Sequence, residues 1–334
     1  MKLSTNETNI LFLKKTGLYH VLKLGVRVEH AIRWRYPPQF SLFLGGTSSL
    51  ASLYSISKIF LLDGLVVKSG KLSREWDAAL ESWADFIREG KDYYREEMNN
   101  PAFFKLVGNV MGKQILDLAC GEGSNARILA KKGAKVVGVD FSNNMIELAR
   151  QTEKEERLGI SYYVSDAANL KELQSGCFDM VTCFMALLDI EDYEEAIREV
   201  ARVMKKSGRF IFSITHPCFE WGIVMTNGQH IGDWKYEEGT KNSPERKALH
   251  FEIKRYFGIV RCENSWNMKR LVKPFKTTSF HRTLTDYFQA LYENGLLVQR
   301  LIEPKPTARG ASKYPQLRKH KKIPQSIIIE AVKK

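Results

Sequence analysis

From residue 113 to 215 the chain alternates apolar runs of strand length with amphipathic runs of helix length. This rhythm limits the fold more than any other feature. Gln114–Ala119 (QILDLA), Lys135–Asp140 (KVVGVD), Ile160–Val164, Phe178–Phe184 and Arg209–Ile214 (RFIFSI) read as buried strands. Between them Asn125–Lys132 (closed by Gly133), Asn143–Glu156 and Asp192–Lys206 read as helices. The last presents Ala196, Val200 and Val203 on one face, carries Lys205 and Lys206 near its negative end, and stops at Gly208. Strands that are apolar along their length are buried on both faces, so the order implies a mainly parallel sheet between two helical layers. Right-handed crossovers leave few topologies for it. A helix at Leu284–Glu293 and two final strands, Leu297–Ile302 and Ser326–Val332, follow; a loop rich in Lys, Arg and Pro joins those strands.

Other stretches flank this unit. Ser73 reads as the cap of a helix with Trp76, Leu80, Trp83, Phe86 and Ile87 on one face. Asp92-Tyr93-Tyr94-Arg95 follows, then a turn at Asn99-Asn100-Pro101 and a short helix over Ala102–Asn109. Residues 216–277 form an aromatic-rich insertion after the fifth strand. Its Trp221, Trp234 and Trp266 suit either the lining of an apolar pocket or a small core of the insertion's own. Residues 1–72 read as a separate extension, and 73–334 as one domain. Leu18–Tyr36 is basic and partly amphipathic, and Pro37-Pro38 ends it. Phe40–Ser57 lacks charge but is broken by Gly45-Gly46 and rich in Ser and Thr, a poor match to the ~20 apolar residues of a membrane-spanning helix. Membrane contact through 1–72 is thus weakly supported.

The 334 residues carry 51 Lys+Arg against 38 Asp+Glu, a net charge of +13 that raises the question of nucleic acid. The excess sits at the ends. Residues 1–72 have ten basic and three acidic groups, residues 298–334 ten and two, and the stretch between is near neutral. A basic surface around the central unit, as an RNA grip would need, is not present, so nucleic acid stays open without being favoured. No two of the five cysteines make a C-x-x-C pair and no metal-ligating cluster stands out. A reduced, cytoplasmic setting fits.

The segment Asp117-Leu118-Ala119-Cys120-Gly121-Glu122-Gly123 joins the first strand to its helix. Gly121 and Gly123 allow a sharp turn and close approach of a ligand. Asp140 ends the second strand, placed to accept hydrogen bonds from a ribose diol. Gly121-x-Gly123-x-x-Ala126 meets the loose dinucleotide fingerprint, so NAD is one reading. Asp117 and Cys120 ahead of Gly121 argue for another.

This D-x-x-C-G-x-G loop, with several motifs in register, resembles the class I S-adenosylmethionine (SAM) dependent methyltransferases. Gly138-Val139-Asp140-Phe141-Ser142 with Met145 resembles their second motif, and Ser165-Asp166-Ala167 their third. Phe178-Asp179-Met180-Val181 and Phe184–Asp189 resemble the fourth-strand motif. The nearest branch is the type-11 group that includes ubiquinone and menaquinone methyltransferases. His281-Arg282-Thr283-Leu284, Gly295-Leu296-Leu297 and Glu303-Pro304-Lys305-Pro306 recur in that branch. The resemblance covers 73–334. It implies a Rossmann-like three-layer sandwich whose seven-stranded sheet has the order 3-2-1-4-5-7-6, with residues 216–277 as a substrate lid. It implies that SAM is held by Asp117, Ala119, Cys120, Gly121, Gly123, Asp140, Phe141, Ser142, Met145, Asp166, Ala167 and Phe184. The acidic end of strand one faces the methionine part, Asp140 the ribose and Asp166 the adenine.

Methyl transfer is an in-line displacement in which orientation can contribute about 7–11 kcal/mol. A base is needed only if the acceptor must lose a proton. His216, ending the fifth strand before Pro217, is the candidate base; it can equally fix the turn. Tyr93, Tyr94, Leu187, Trp221 and His281 are candidate substrate contacts, with packing as the competing role of the tyrosines. The leading expectation is methylation of a small molecule. Alternatives are an RNA methyltransferase gripping phosphates through Arg309–Lys322, and a SAM-binding regulatory or membrane-tethered protein attached through 1–72.

Overall fold

A computed structural model describes residues 10–15, 18–23 and 70–334, apart from 221–223, 226–227, 239–246 and 269–270. Contacts divide the chain into Met1–Lys68 and Ser69–Lys334. In the first unit β1 (Ile10–Lys15) and β2 (Leu18–Lys23) pair as an antiparallel hairpin. The basic stretch that begins at Leu18 therefore opens as a strand; its remainder and Phe40–Ser57 lie outside the described residues. Among the described residues no helix is long and apolar enough to cross a membrane.

The second unit opens with α1 (70–88). Ser73 lies inside this helix rather than at its cap, and its hydroxyl donates to the Phe141 carbonyl at 3.3 Å. A π-helical turn, Arg95–Asn99, leads into α2 (Asn100–Val107). The alternating region follows: β3 (Gln114–Leu118), α3 (Ser124–Lys131), β4 (Lys135–Asp140), α4 (Asn143–Glu156), β5 (Ser161–Val164), β6 (Phe178–Phe184), α5 (Tyr193–Val203) and β7 (Met204–Thr215). Helix α5 ends before Met204, earlier than its sequence suggests, because Met204 already pairs with Phe178 ahead of an irregularity in the ladder. Lys205 then donates to Asp179 at 2.7 Å instead of neutralising a helix end. Insertion strands β8 (Val224–Met225), β9 (Gly232–Tyr236), β10 (Ala248–Ile253), β11 (Val260–Trp266) and β12 (Phe275–His281) form two small antiparallel sheets, β9-β10 and β8-β11-β12. The chain closes with α6 (Leu284–Glu293), β13 (Leu296–Ile302), α7 (Ala308–Lys313) and β14 (Ser326–Lys333).

The seven-stranded sheet runs β5-β4-β3-β6-β7-β14-β13, the expected order 3-2-1-4-5-7-6. Only β14 is antiparallel to its neighbours. Period-two alternation sorts the strand side chains between two cores. Leu116, Val181, Phe210, Phe212, Ile327 and Ile329 meet α5 and α6 on one face. Ile115, Met180, Ile211 and Ile328 meet α2, α3 and α4 on the other. This is a three-layer sandwich.

Glu330 ties the reversed strand to the rest. It is 2% exposed and takes the guanidinium groups of Arg209 on β7 and Arg300 on β13. Arg209 also donates to the carbonyls of Leu106 and Val107 at 2.8 and 2.9 Å, closing the end of α2. Removing the charge leaves two guanidinium groups facing a neutral partner. Glu330→Gln is expected to lower the unfolding free energy by about 1.5–3 kcal/mol, the range for hydrogen bonds to charged groups. Urea denaturation measures it.

Candidate functional site

The site lies at the carboxyl ends of β3, β4 and β6, at the switch point where neighbouring strands run to opposite sides of the sheet. Strand β3 delivers Asp117, which is 1% exposed. Its Oδ1 accepts from the Thr182 hydroxyl of β6 at 2.8 Å, while its Oδ2 is buried without a hydrogen-bond partner. Burial pushes this carboxyl up to about 6, against the pull of Thr182 and of the Arg95 charge.

The chain then turns through Ala119 and Gly121, both at positive φ (54° and 55°). The turn carries the Gly121 amide to Asp140 Oδ2 at 2.9 Å, and the Ser142 amide donates to Oδ1 at 2.9 Å. Burial pushes Asp140 up to about 6, opposed by these two amides. A side chain built on Gly121 would meet nothing within 4 Å, so the loop presents bare backbone to open space. Gly123 (φ 86°) is needed for packing: a Cβ there would lie 2.5 Å from the Tyr162 hydroxyl. Cys120 is half-buried, and burial raises its thiol well above the ordinary value; nothing activates it.

Ser142 caps α4, accepting from the Met145 amide at 3.1 Å, and its hydroxyl donates to Asp77 of α1 at 2.5 Å. Met145 is buried beneath. Phe141 is partly exposed, as is Asp166 beyond β5, whose Oδ1 accepts from the Ala168 amide at 2.9 Å; Ala167 is buried. Phe184 ends β6 with the Arg95 guanidinium 5.0 Å above its ring. Arg95 also donates to Asn125 at 2.5 Å, and Arg88 of α1 reaches the loop through Glu122 at 3.1 Å. Arg95, Asp77 and Thr182 were not singled out from the sequence. Arg95 adjoins the tyrosine pair that was, whereas Asp77 has only helical spacing to mark it.

The remaining candidates are placed mostly by packing. Tyr93 stacks on Tyr314 at 4.8 Å and Tyr94 meets the edge of His320 at 5.6 Å. Leu187 is fully buried in the core that packs under α5 and α6. His216 accepts from the Cys218 amide at Nδ1 (3.2 Å), so its Nε2 carries the proton and donates to Glu303 at 3.1 Å. Both nitrogens are engaged in fixing the turn, and burial lowers its pKa. His281 sits with Nδ1 2.6 Å from Glu220 and Nε2 2.7 Å from the Tyr256 carbonyl. Burial opposes its charge, yet Glu220 raises its pKa on balance. Trp234 packs on Phe251 within the insertion, whereas Trp266 packs on Phe275 and on Trp83 of α1. Trp221 lies outside the described residues.

This geometry fits SAM. The orphaned Asp117 Oδ2 suits a cationic donor, the open Gly121 backbone admits a ligand against it, and Asp140 is fixed by amides with lone pairs to spare for hydroxyl donors. Two predictions follow from the carboxyls. Both titrate near 6, so SAM affinity should hold above pH 7 and fall below 6, by about tenfold per pH unit for each carboxylate that must be ionised. Titration calorimetry across that range checks it. Asp140→Asn should weaken SAM binding by about 1.5–3 kcal/mol with the fold retained on circular dichroism.

The chain is similar to known proteins in sequence and in fold. Residues 116–212 match a family model described as a methyltransferase domain. An uncharacterized protein of Haemophilus influenzae is 27% identical over 63% of this chain and 77% of its own. The ubiquinone biosynthesis O-methyltransferase of Sodalis glossinidius is 29% identical over 47% of this chain, and the chain spans 64% of that enzyme's length. For the Coxiella burnetii enzyme of the same name, 34% identical, it spans 53%. Among solved structures, a putative SAM-dependent methyltransferase from Listeria monocytogenes superimposes with a TM-score of 0.55 at 25% identity, covering 70% of this chain and 96% of that one. One from Mesorhizobium loti gives 0.52 at 25% identity, with the same coverage of each chain. With the sheet order and the strand-end carboxylates, these matches place the chain among the class I SAM-dependent methyltransferases, distantly related to the ubiquinone O-methyltransferases.

Proposed function

We propose that this protein transfers a methyl group to a small-molecule acceptor. Bound SAM supplies a methyl on a positively charged sulfur, already activated toward displacement. The chain's part is to hold, align and keep water out. Asp117 would stand against the cationic methionine portion, Asp140 would accept from the ribose hydroxyls, and Phe141 and Asp166 would border the adenine. Phe184, under the Arg95 guanidinium, would flank the methyl on the acceptor side.

The observation that carries the choice of acceptor is the fate of the basic C-terminal segment. Arg309 pairs with the buried Glu97 at 2.6 Å, and Arg318 donates to the Ala311 carbonyl at 3.0 Å. Lys319 is buried, with its ammonium 4.9 and 5.7 Å above the rings of Trp234 and Tyr236. A phosphate grip works by releasing counterions from cations presented to solvent. Of the six Lys and Arg in this segment, Arg309, Arg318 and Lys319 serve intramolecular contacts, while Lys313, Lys321 and Lys322 are exposed. That supports a small acceptor over an RNA backbone. The O-methyltransferase activity of those relatives supports testing oxygen acceptors first.

Incubating the protein with methyl-labelled SAM and a deproteinised cell extract tests the reading. Label is expected in the small-molecule or lipid fraction. Label that disappears on ribonuclease treatment would replace it with the RNA reading.

A further inference from the structure

The turn after β6 is held by a buried cation that the reading above does not use. Arg282, just past β12, is 1% exposed. Its Nη1 donates to the Leu187 carbonyl at 3.2 Å, and its Nη2 to the carbonyls of Ile190 and Glu191 at 2.6 and 3.0 Å. The guanidinium lies 4.1 Å over the Tyr193 ring and 5.1 Å from that of Phe280, and its Nε has no hydrogen-bond partner. Three carbonyls bound by one planar fork fix the conformation of residues 187–191.

Asp189 stands in the middle of that turn, on the same post-β6 segment as Phe184. It is partly buried, and among the described residues its carboxylate has no hydrogen-bond partner. Its oxygens are not sealed from solvent, so this partly buried carboxylate stands open to a small molecule. The charged and titratable groups facing it are Arg282, Glu75 of α1, Cys183 of β6 and Tyr287 of α6. Glu75 is itself committed to Thr278, accepting from its amide at 2.8 Å and its hydroxyl at 3.2 Å. His216, the other candidate, has both ring nitrogens engaged.

We propose that Asp189 is the base that takes the proton from the methyl acceptor, and that Arg282 is the positioning residue that holds it in place. The proposal rests on the methyltransferase reading and narrows it: the acceptor atom carries a proton, as in a hydroxyl or an amine. In the step, the acceptor X–H bond gives its proton to an Asp189 carboxylate oxygen and the X lone pair forms the X–CH3 bond. The CH3–S bond breaks with its electrons going to sulfur, which becomes a neutral thioether. The proton then passes from Asp189 to water. Burial raises this carboxyl well above its ordinary value, with Arg282 opposing the shift and Glu75 adding to it.

Three measurements on wild type, Asp189→Asn and Arg282→Lys test this. SAM affinity by calorimetry should stay within about twofold in Asp189→Asn, because Asp189 is not a cofactor ligand. At saturating SAM, label transfer to the extract should fall by about a hundredfold or more in Asp189→Asn. In Arg282→Lys the charge stays and the fork is lost, so the rate should fall less and the acid limb of its pH profile should move. Unfolding in urea gives a readout free of the acceptor. A carboxyl raised in the fold costs stability as pH climbs from its unfolded pKa through its folded one. Asp189→Asn should therefore gain on wild type as pH rises above the ordinary carboxyl range. Transfer by Asp189→Asn at the wild-type rate, or a stability difference that ignores pH, overturns the proposal. No transfer by wild type to any fraction overturns the methyltransferase reading instead, whatever the stability curves show.

Discussion

Two carboxylates buried at the ends of adjacent parallel strands set the terms for everything around them. An ionised carboxylate taken from water costs several kcal/mol unless its oxygens are hydrogen-bonded. Asp140 is supplied with two backbone amides, and one of them reaches it only because the β3–α3 loop passes through left-handed backbone. Asp117 receives one hydroxyl and keeps one oxygen bare. The pair is thus stable enough to fold and unsatisfied enough to bind. A ligand with a cation for one and hydroxyls for the other completes what the chain leaves open.

The roof over this site comes from three distant parts of the sequence. Helix α1 reaches down through Asp77 to the α4 cap and through Arg88 to the glycine loop. The π-helical turn sends Arg95 to Asn125, Glu97 to Thr307 and Arg309, and Asn99 to Ser326. Such turns point successive side chains in directions a regular helix does not, and they recur at functional sites. The C-terminal segment reaches the same turn from the other side. Gly310 lies so close to Glu97 that a Cβ would sit 2.5 Å from it. Arg309, one of the basic residues that raise the question of nucleic acid in the sequence, is in the fold a fastening of this roof.

What could be read from the sequence follows from range. The sheet, its order and the cofactor loop depend on period and short motifs. β4 and β6 fall where their sequences put them, while α5 yields its last turn to a ladder bond no local pattern reveals. Asp117 and Asp140 were legible because their spacing to glycines is local. Arg95 and Asp77 were not, since each matters through a partner tens of residues away, whereas Asp189 and Arg282 stood in short motifs that did not show their tie. His216 shows the converse. Its place at a strand end suggested chemistry, but the Cys218 amide two residues on engages its Nδ1.

Backbone strain marks the same place as charge. Ala119 after β3 and Met185 after β6 both have left-handed φ, 54° and 51°. For a residue with a Cβ this conformation costs about 1–2 kcal/mol, so something must hold each one there. The next amide after Ala119, that of Cys120, donates to Val139 of β4 at 2.9 Å. The Met185 amide donates to both the carbonyl and the hydroxyl of Ser213 on β7 at 3.0 Å. In each case a flanking strand forces the chain to leave the sheet abruptly. One exit turns the glycine loop toward Asp140, and the other turns residues 186–191 toward Arg282. A relaxed backbone at either position would carry its loop along the strand direction and leave the carboxylates facing water. Strain that the sheet can bear therefore turns both loops sharply out of a common α/β sandwich at the end that holds the buried Asp117 and Asp140.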